Sequence, residues 1–282
     1  MPLRFTKMHG LGNDYVYISL FDQTVPDPAA LAPRISNRHR GVGSDGLILI
    51  APPDDPQADL RMIMFNADGS RAQMCGNGIR CVAKLAYERG LARHNPLRVA
   101  TDAGVLTLDL TLENRGHVTA VRVDMGAPIL DPRRIPVALP GEQIVGAPLP
   151  LPQRILAVTC VSTGNPHAVF FEADLARVPL TQWGPLIERH PLFPERINVH
   201  FVQVLARDRV KMITWERGAG PTQACGTGAS AVCVASVLNG LTDRTITAEL
   251  PGGQLQLEWN EATNHVFMTG PAEEVFTGVW PM

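Results

Sequence analysis

The sequence predicts an α+β fold of two pseudo-symmetric domains, each a strongly curved, mainly antiparallel, barrel-like sheet around one central helix. Three observations point there. The stretches FNADGSRAQMCGNGIRC (65–81) and WERGAGPTQACGTGASAVC (215–233) are near-copies. Each has an aromatic residue, then ten positions later a Cys, then Gly-x-Gly opening an apolar run that stops at Gly-Leu. Other correspondences run collinear with these: Gly12-Asn13 with Gly164-Asn165, and GVLTLDL (104–110) with GQLQLEW (253–259). Finally, 282 residues suffice for two domains of about 150 residues, each with its own core.

Taken in order, 3–8 and 15–21 read as strands joined by the Gly-rich turn His9 to Asp14. Ala29 to Arg40 reads as a short helix after the breakers Pro26 and Pro28. Two buried strands follow, LILIA (47–51) and LRMIMFN (60–66). From Gly76 to Arg89 the apolar residues Ile79, Val82, Ala83 and Ala86 take helical spacing, with Gly90 as the stop. Three strands, 97–101, 104–112 and 118–125, complete the first copy. Seven prolines between Pro128 and Pro152 block regular structure and mark the crossing between domains. The second copy then repeats the plan: strands at 155–163 and 168–172 about an Asn-bearing turn, strands at 199–205 and 210–216, and an almost wholly apolar helix from Gly226 to Asn239. Such a helix is enclosed by protein. Domains of 1–126 and 127–272 follow, with 273–282 a candidate to return to the first.

Composition narrows the functional classes. Hydrophobic content of 45% with 18% charged residues fits a globular protein. A net charge of −2 gives no electrostatic reason to expect nucleic acid or an anionic membrane. No apolar run approaches the ~20 residues of a bilayer span, and the N-terminus lacks the apolar core of a secretory signal. Five cysteines, an odd number, argue against a disulfide framework and for a reducing cytoplasm.

The chemistry centres on Cys75 and Cys225. A Cys at a helix mouth meets free N–H groups and the positive end of the helix dipole, both of which favour thiolate. The same N–H groups bind anions. Gly76, Gly78, Gly226 and Gly228 let a ligand approach the backbone. Two such mouths face to face would hold one carboxylate with a thiol on each side of its α-carbon, the geometry of proton abstraction and return. Asn13, Asn66, Asn165 and Asn198, all at strand-to-turn junctions, read as a lining for a polar ligand. Arg217 is suited to grip a second carboxylate and Glu216 an ammonium. His167 either assists proton transfer or holds the Asn165 turn, and Asp45 reads as a turn residue. Cys81, Cys160 and Cys233 read as buried structural residues. The cysteine spacings lack the pairs of a zinc site, and the Gly-x-Gly turns lack the third Gly and acidic residue of a dinucleotide site.

MHGLGNDYV, NRHRGVGSDGLILI, MFNADGSRAQMCGNGIRC, STGNPHAVFF, INVHFV and WERGAGPTQACGTGASA together resemble the diaminopimelate epimerase family nearly end to end. The resemblance implies a cofactor-independent isomerase that interconverts LL- and meso-diaminopimelate for lysine and cell-wall precursor synthesis. It implies Cys75 and Cys225 as the acid/base thiols, with His167 and Glu216 as helpers near them. It implies substrate contacts from Asn13, Asn66, Asn165, Asn198, Glu216 and Arg217, and a reacting carboxylate held by the amides of Gly76-Asn77 and Gly226-Thr227. A homodimer is a family expectation, and no metal is implied. His200 stands where relatives often carry Glu. Gly46 stands where some carry Gln, which puts one substrate contact from that loop in question. A proline or hydroxyproline racemase is the nearest rival, but its first motif typically reads CGHG where this chain has CGNG. A non-catalytic amino-acid-binding or redox-sensing protein is the rival from another class.

Overall fold

The computed structural model describes residues 2–152 and 154–281, Arg115 through its backbone alone. The chain divides into two compact units. The first takes the chain up to Val123 and again from Thr269, and the second runs from Asp124 to Met268. No helix among the described residues is long and apolar enough to cross a membrane.

The first unit begins with the hairpin β1 (Leu3–Gly10) and β2 (Asn13–Ser19). Leu11 and Gly12 make its turn, both at positive φ. Helix α1 (Pro28–Ser36) starts where the Asp27 carboxylate accepts the Ala30 N–H at 3.0 Å. It ends before Arg40 because the Asn37 side chain takes the N–H groups of His39 and Arg40, each at 2.9 Å. Then come β3 (Gly46–Ala51), β4 (Leu60–Asn66), the short β5 (Arg71–Ala72), α2 (Gly76–Glu88), β6 (Leu97–Thr101), β7 (Gly104–Glu113) and β8 (His117–Asp124). Most pairings are antiparallel. Two are parallel, β2 with β3 and β4 with β6, because each is connected through a helix crossover.

Alternation along the strands separates two faces. Val16 and Ile18 of β2, with Leu47 and Leu49 of β3, pack on Leu31, Ala32 and Ile35 of α1. The intervening residues face α2: the Tyr17 hydroxyl donates to the Gly78 carbonyl at 3.4 Å. With both faces covered, β3 has to be apolar at every position, and its interior is buried throughout. Helix α2 packs against β1, β2, β3 and β7, strands at opposite ends of the pairing order, so the sheet curves around it.

The second unit repeats this order with β9 (Ala147–Leu151), β10 (Arg154–Ser162), β11 (Pro166–Phe171), α3 (Leu180–Glu188), β12 (Asn198–Ala206), β13 (Arg209–Glu216), β14 (Gly220–Thr222), α4 (Gly226–Leu238), β15 (Thr245–Leu250), β16 (Gly253–Trp259) and β17 (Val266–Gly270). Its parallel pairs, β11 with β12 and β13 with β15, fall at the equivalent places. The last strand, β18 (Glu273–Trp280), pairs antiparallel with β1 of the first unit. Both central helices stop alike. Gly90 and Gly240 lie at positive φ, and the following N–H groups of Leu91 and Leu241 reach back to Ala86 and Ser236 at 2.9 and 3.0 Å. This is the Schellman closure that the Gly-Leu pairs encode.

Register makes the repeat residue by residue. Tyr15 pairs with Gly46 and His167 with Asn198, so Tyr15 answers to His167, Gly46 to Asn198, and Ile48 to His200. The last pair sits beneath the glycines of the helix mouths. A Cβ on Gly78 would lie 2.6 Å from the Ile48 Cδ1, and one on Gly228 2.2 Å from the His200 Cε1. A methyl end can rotate away, whereas the His200 ring is tied at both nitrogens. Gly228→Ala should therefore destabilise more than Gly78→Ala, by about 1–3 kcal/mol of extra overpacking. Thermal melts of the two variants test this, and equal shifts in Tm would show that the ring yields as easily as the methyl.

Candidate active site

Cys75 is the N-cap of α2. Its Sγ accepts the Gly78 N–H at 3.3 Å, and Gly76 opens the helix without a side chain. The thiol also meets the Asn13 Oδ1 at 3.4 Å, which Asn77 Nδ2 approaches at the same distance. Asn13 is held from behind: its Nδ2 donates to Asp45 Oδ2 at 2.8 Å, and the same oxygen accepts the Asp14 N–H at 3.1 Å. Arg38 then bridges Asp14 and Asp45 at 2.7 and 2.8 Å, and Lys7 donates to Asp14 and to the Gly43 carbonyl. Burial raises the Asp14 carboxyl, but Arg38 and Lys7 outweigh it and hold the group below its ordinary range.

Asp45 is thus more than the turn residue its GVGSDG setting suggests, since it fixes which end of the Asn13 amide meets the thiol. Tyr15 was not singled out by any motif. Burial first, then Cys75, push its phenol well above the ordinary range, so it stays a neutral donor beside that thiol. Its equivalence to His167 is the signal that finds it. Asn66 closes its own turn, donating to Ser70 Oγ at 2.9 Å. At Gly46 a Cβ would lie 2.2 Å from the Phe65 carbonyl oxygen. The backbone here leaves no room for a side chain.

Cys225 caps α4 in the same extended conformation, with φ −125° and ψ 104°. Its surroundings differ. It is buried, its Sγ lies 3.6 Å from Thr227 Oγ1, and burial followed by the Glu216 carboxylate push the thiol well above its ordinary range. Glu216 is held by the Thr222 hydroxyl at 2.6 Å. The Thr227 carbonyl accepts from Thr163 at 3.0 Å. Asn198 is buried, donating to the Pro166 carbonyl at 2.9 Å and accepting the Arg217 N–H at 3.0 Å. The exposed Arg217 guanidinium donates to the Glu195 carbonyl at 3.1 Å.

Glu188, unremarked in the sequence, brackets this segment. It is 3% exposed and accepts from Trp215 Nε1 at 2.8 Å and from the Gly218 N–H at 3.1 Å, on either side of Glu216 and Arg217. His167 bonds Asn165 Oδ1 through Nε2 at 2.8 Å and His200 through Nδ1 at 2.9 Å, and His200 bonds Thr214 Oγ1 at 2.9 Å. Burial holds His200 down to about 3, and burial, His200 and Arg217 hold His167 well below its usual range. Both rings are neutral when folded. An unfolded histidine binds a proton below about pH 6.5. Stability from this pair is therefore complete above that pH and is lost as pH falls from there toward 3. His200→Gln should flatten the acid slope of stability by up to about 1.4 kcal/mol per pH unit. Urea unfolding between pH 4 and pH 8 measures it, and an unchanged slope would mean the ring is charged or solvated in the fold.

All five cysteines are free thiols, and among the described residues no group of three or more His, Cys, Asp or Glu is placed to hold a metal ion. The structure thus gathers Asn13, Asn77 and Cys75 into one cluster and Asn165, His167, Asn198, Glu216, Arg217, Cys225 and Thr227 into another.

Known proteins share both sequence and fold with this chain. The family model described as diaminopimelate epimerase matches residues 5–130 and 159–275. The diaminopimelate epimerase of Acetivibrio thermocellus is 54% identical over 98% of each chain. That of Moorella thermoacetica is 51% identical over 99% of this chain and 100% of its own. Among solved structures, a phenazine biosynthesis protein of the PhzF family from Bacillus anthracis superposes with a TM-score of 0.72 at 14% identity over the whole of both chains. A probable proline racemase from Agrobacterium radiobacter does so with 0.70 at 17% identity over 98% and 92%. These two are likenesses of fold, whereas the cysteine turns, the two clusters and the end-to-end identity meet in one conclusion: the chain belongs to the diaminopimelate epimerase family.

Proposed function

We propose that the chain is a diaminopimelate epimerase working by two thiols, with Cys75 and Cys225 as the acid/base pair and no cofactor. Its reaction is the interconversion of LL- and meso-2,6-diaminopimelate on the route to lysine and peptidoglycan precursors. The observation that carries the reading is the duplicated thiol: two cysteines, each the N-cap of an equivalent helix, beside first-turn N–H groups that have no partner within the helix. One thiolate removes the α-hydrogen. The resulting carbanion spreads its charge into the substrate carboxylate, held by the amides of Gly76-Asn77 and Gly226-Thr227. The other thiol delivers its proton to the opposite face, leaving the enzyme with the two roles exchanged.

The environments assign the resting proton. Cys225, buried beside Glu216, rests as the thiol. Cys75 accepts the Gly78 N–H on its sulfur. His167, neutral in the fold, donates its one N–H to Asn165 and serves by holding that side chain rather than by carrying charge. Asn13, Asn66, Asn165, Asn198, Glu216 and Arg217 grip the substrate's remaining polar groups. A homodimer is supported by the apolar exposure of β18, where Val275, Phe276 and Val279 all face solvent. Five free thiols support a reducing compartment such as the cytoplasm.

Two measurements test the reading. In deuterium oxide, product formed early from LL substrate should carry deuterium at the inverted carbon, while recovered substrate carries far less, because the proton returned is not the proton removed. Product that mostly keeps the original hydrogen would sink the two-thiol mechanism. Second, Arg217→Met should lower kcat/KM on diaminopimelate by about two orders of magnitude, the loss of a charge-assisted pair, with Tm unchanged since the side chain is exposed. Activity within a fewfold of the parent would return Arg217 to the ordinary surface.

A further inference from the structure

The second unit carries a buried polar chain where its repeat partner is apolar. At the equivalent register positions the first unit has Ile48 and Met64, both buried and apolar. The second has His200 and Thr214, equally buried. The first unit fills these places with apolar side chains. Two polar groups placed there instead cost desolvation unless every donor and acceptor is matched.

They are matched, and in one direction only. A neutral imidazole has one N–H and one bare nitrogen. Asn165 Oδ1 accepts, so His167 donates to it from Nε2 and must accept at Nδ1. His200 therefore donates from Nε2 to that nitrogen and accepts at Nδ1, leaving the Thr214 hydroxyl as the donor. Reversing any one link leaves two donors or two acceptors face to face. The chain ends by fixing the Asn165 carboxamide with its NH₂ turned away from His167, and that NH₂ has no hydrogen-bond partner among the described residues. The His200 ring also lies against the first turn of α4, where Gly228 has no room for a Cβ.

We infer that His200 is a positioning residue: through His167 it sets the tautomer and the amide orientation that present the Asn165 NH₂ to an acceptor oxygen of the substrate. Thr214 is the far anchor of the same chain. This rests on the reading of Asn165 as a substrate contact. Neither His200 nor Thr214 touches the reacting atoms. Their influence reaches the substrate as binding, so it falls on KM more than on kcat.

His200→Phe keeps the ring's shape and removes both hydrogen bonds, while His200→Gln can restore the donor toward His167, and Thr214→Val removes only the far anchor. The expected result is a KM for diaminopimelate raised about tenfold by His200→Phe and recovered within threefold by His200→Gln, with kcat changed less than threefold. Thr214→Val should fall between them. Nitrogen NMR of ring-labelled protein should show both histidines as neutral Nε2–H tautomers at pH 7 in the parent, and His167 no longer held to one tautomer in His200→Phe. A His167 that carries its proton on Nδ1 in the parent overturns the inference, as does a His200→Phe protein whose folded fraction binds substrate normally. Asn165→Ala separates the two levels. If it too leaves KM unchanged, Asn165 is not a substrate contact and the underlying reading fails, whatever the histidine tautomers show. If it raises KM and His200→Phe does not, only the positioning role is lost.

Discussion

A buried helix begins with N–H groups that have no partner within it, and the fold has to leave them facing something polar. In each unit the sheet bends around one helix, α2 or α4, so that apart from its ends the helix is shut away from water. The start of that helix brings together backbone donors without intrahelical partners and the positive end of the dipole. Gly-x-Gly opens that turn, and the cysteine caps it. The other end is sealed by the Gly-Leu closure, so no comparable site arises there.

The two units share this frame and furnish it differently. Where unit one has Tyr15, Gly46, Ile48 and Asn66, unit two has His167, Asn198, His200 and Glu216. The first set is largely neutral, with its charges set back in the Lys7, Asp14, Arg38 and Asp45 network behind Asn13. The second brings a carboxylate up to the thiol itself. Two identical cysteine turns would give neither thiol a reason to hold a proton more tightly than the other. Burial, followed by the Glu216 carboxylate, raises the Cys225 thiol and makes the two turns unequal.

What the sequence disclosed follows from which signals are local. Helix periods, the Gly-Leu stops and the collinear repeat are written within short windows, and they carried the fold class and the placement of Cys75 and Cys225 at helix starts. The parallel pairs β2–β3 and β11–β12 lay beyond that reach, because direction depends on where the intervening helix returns the chain. The extension of α1 to Arg40 failed on a single Asn whose side chain competes with the helix. Asp45, Glu188 and Tyr15 act through partners 27 to 32 residues away or more, such as Asn13 for Asp45 and Trp215 for Glu188, and no spacing rule reports that. His200 was visible only as a departure from relatives. Its role became legible once register placed it opposite Ile48.

The placement of Glu216 bears on how one thiol can serve as both acid and base. An anion beside Cys225 opposes a second negative charge there, which suits the resting thiol but hinders the thiolate that the reverse reaction needs. The Glu216 carboxylate is also the group read as receiving the substrate ammonium. On that reading, a cation paired with it would lessen the opposition to a Cys225 thiolate. Burial makes the effect larger, since charges interact more strongly away from water. On the proposed reading, burial and this carboxylate together hold the Cys225 proton, and pairing of the carboxylate with a substrate ammonium would ease its release.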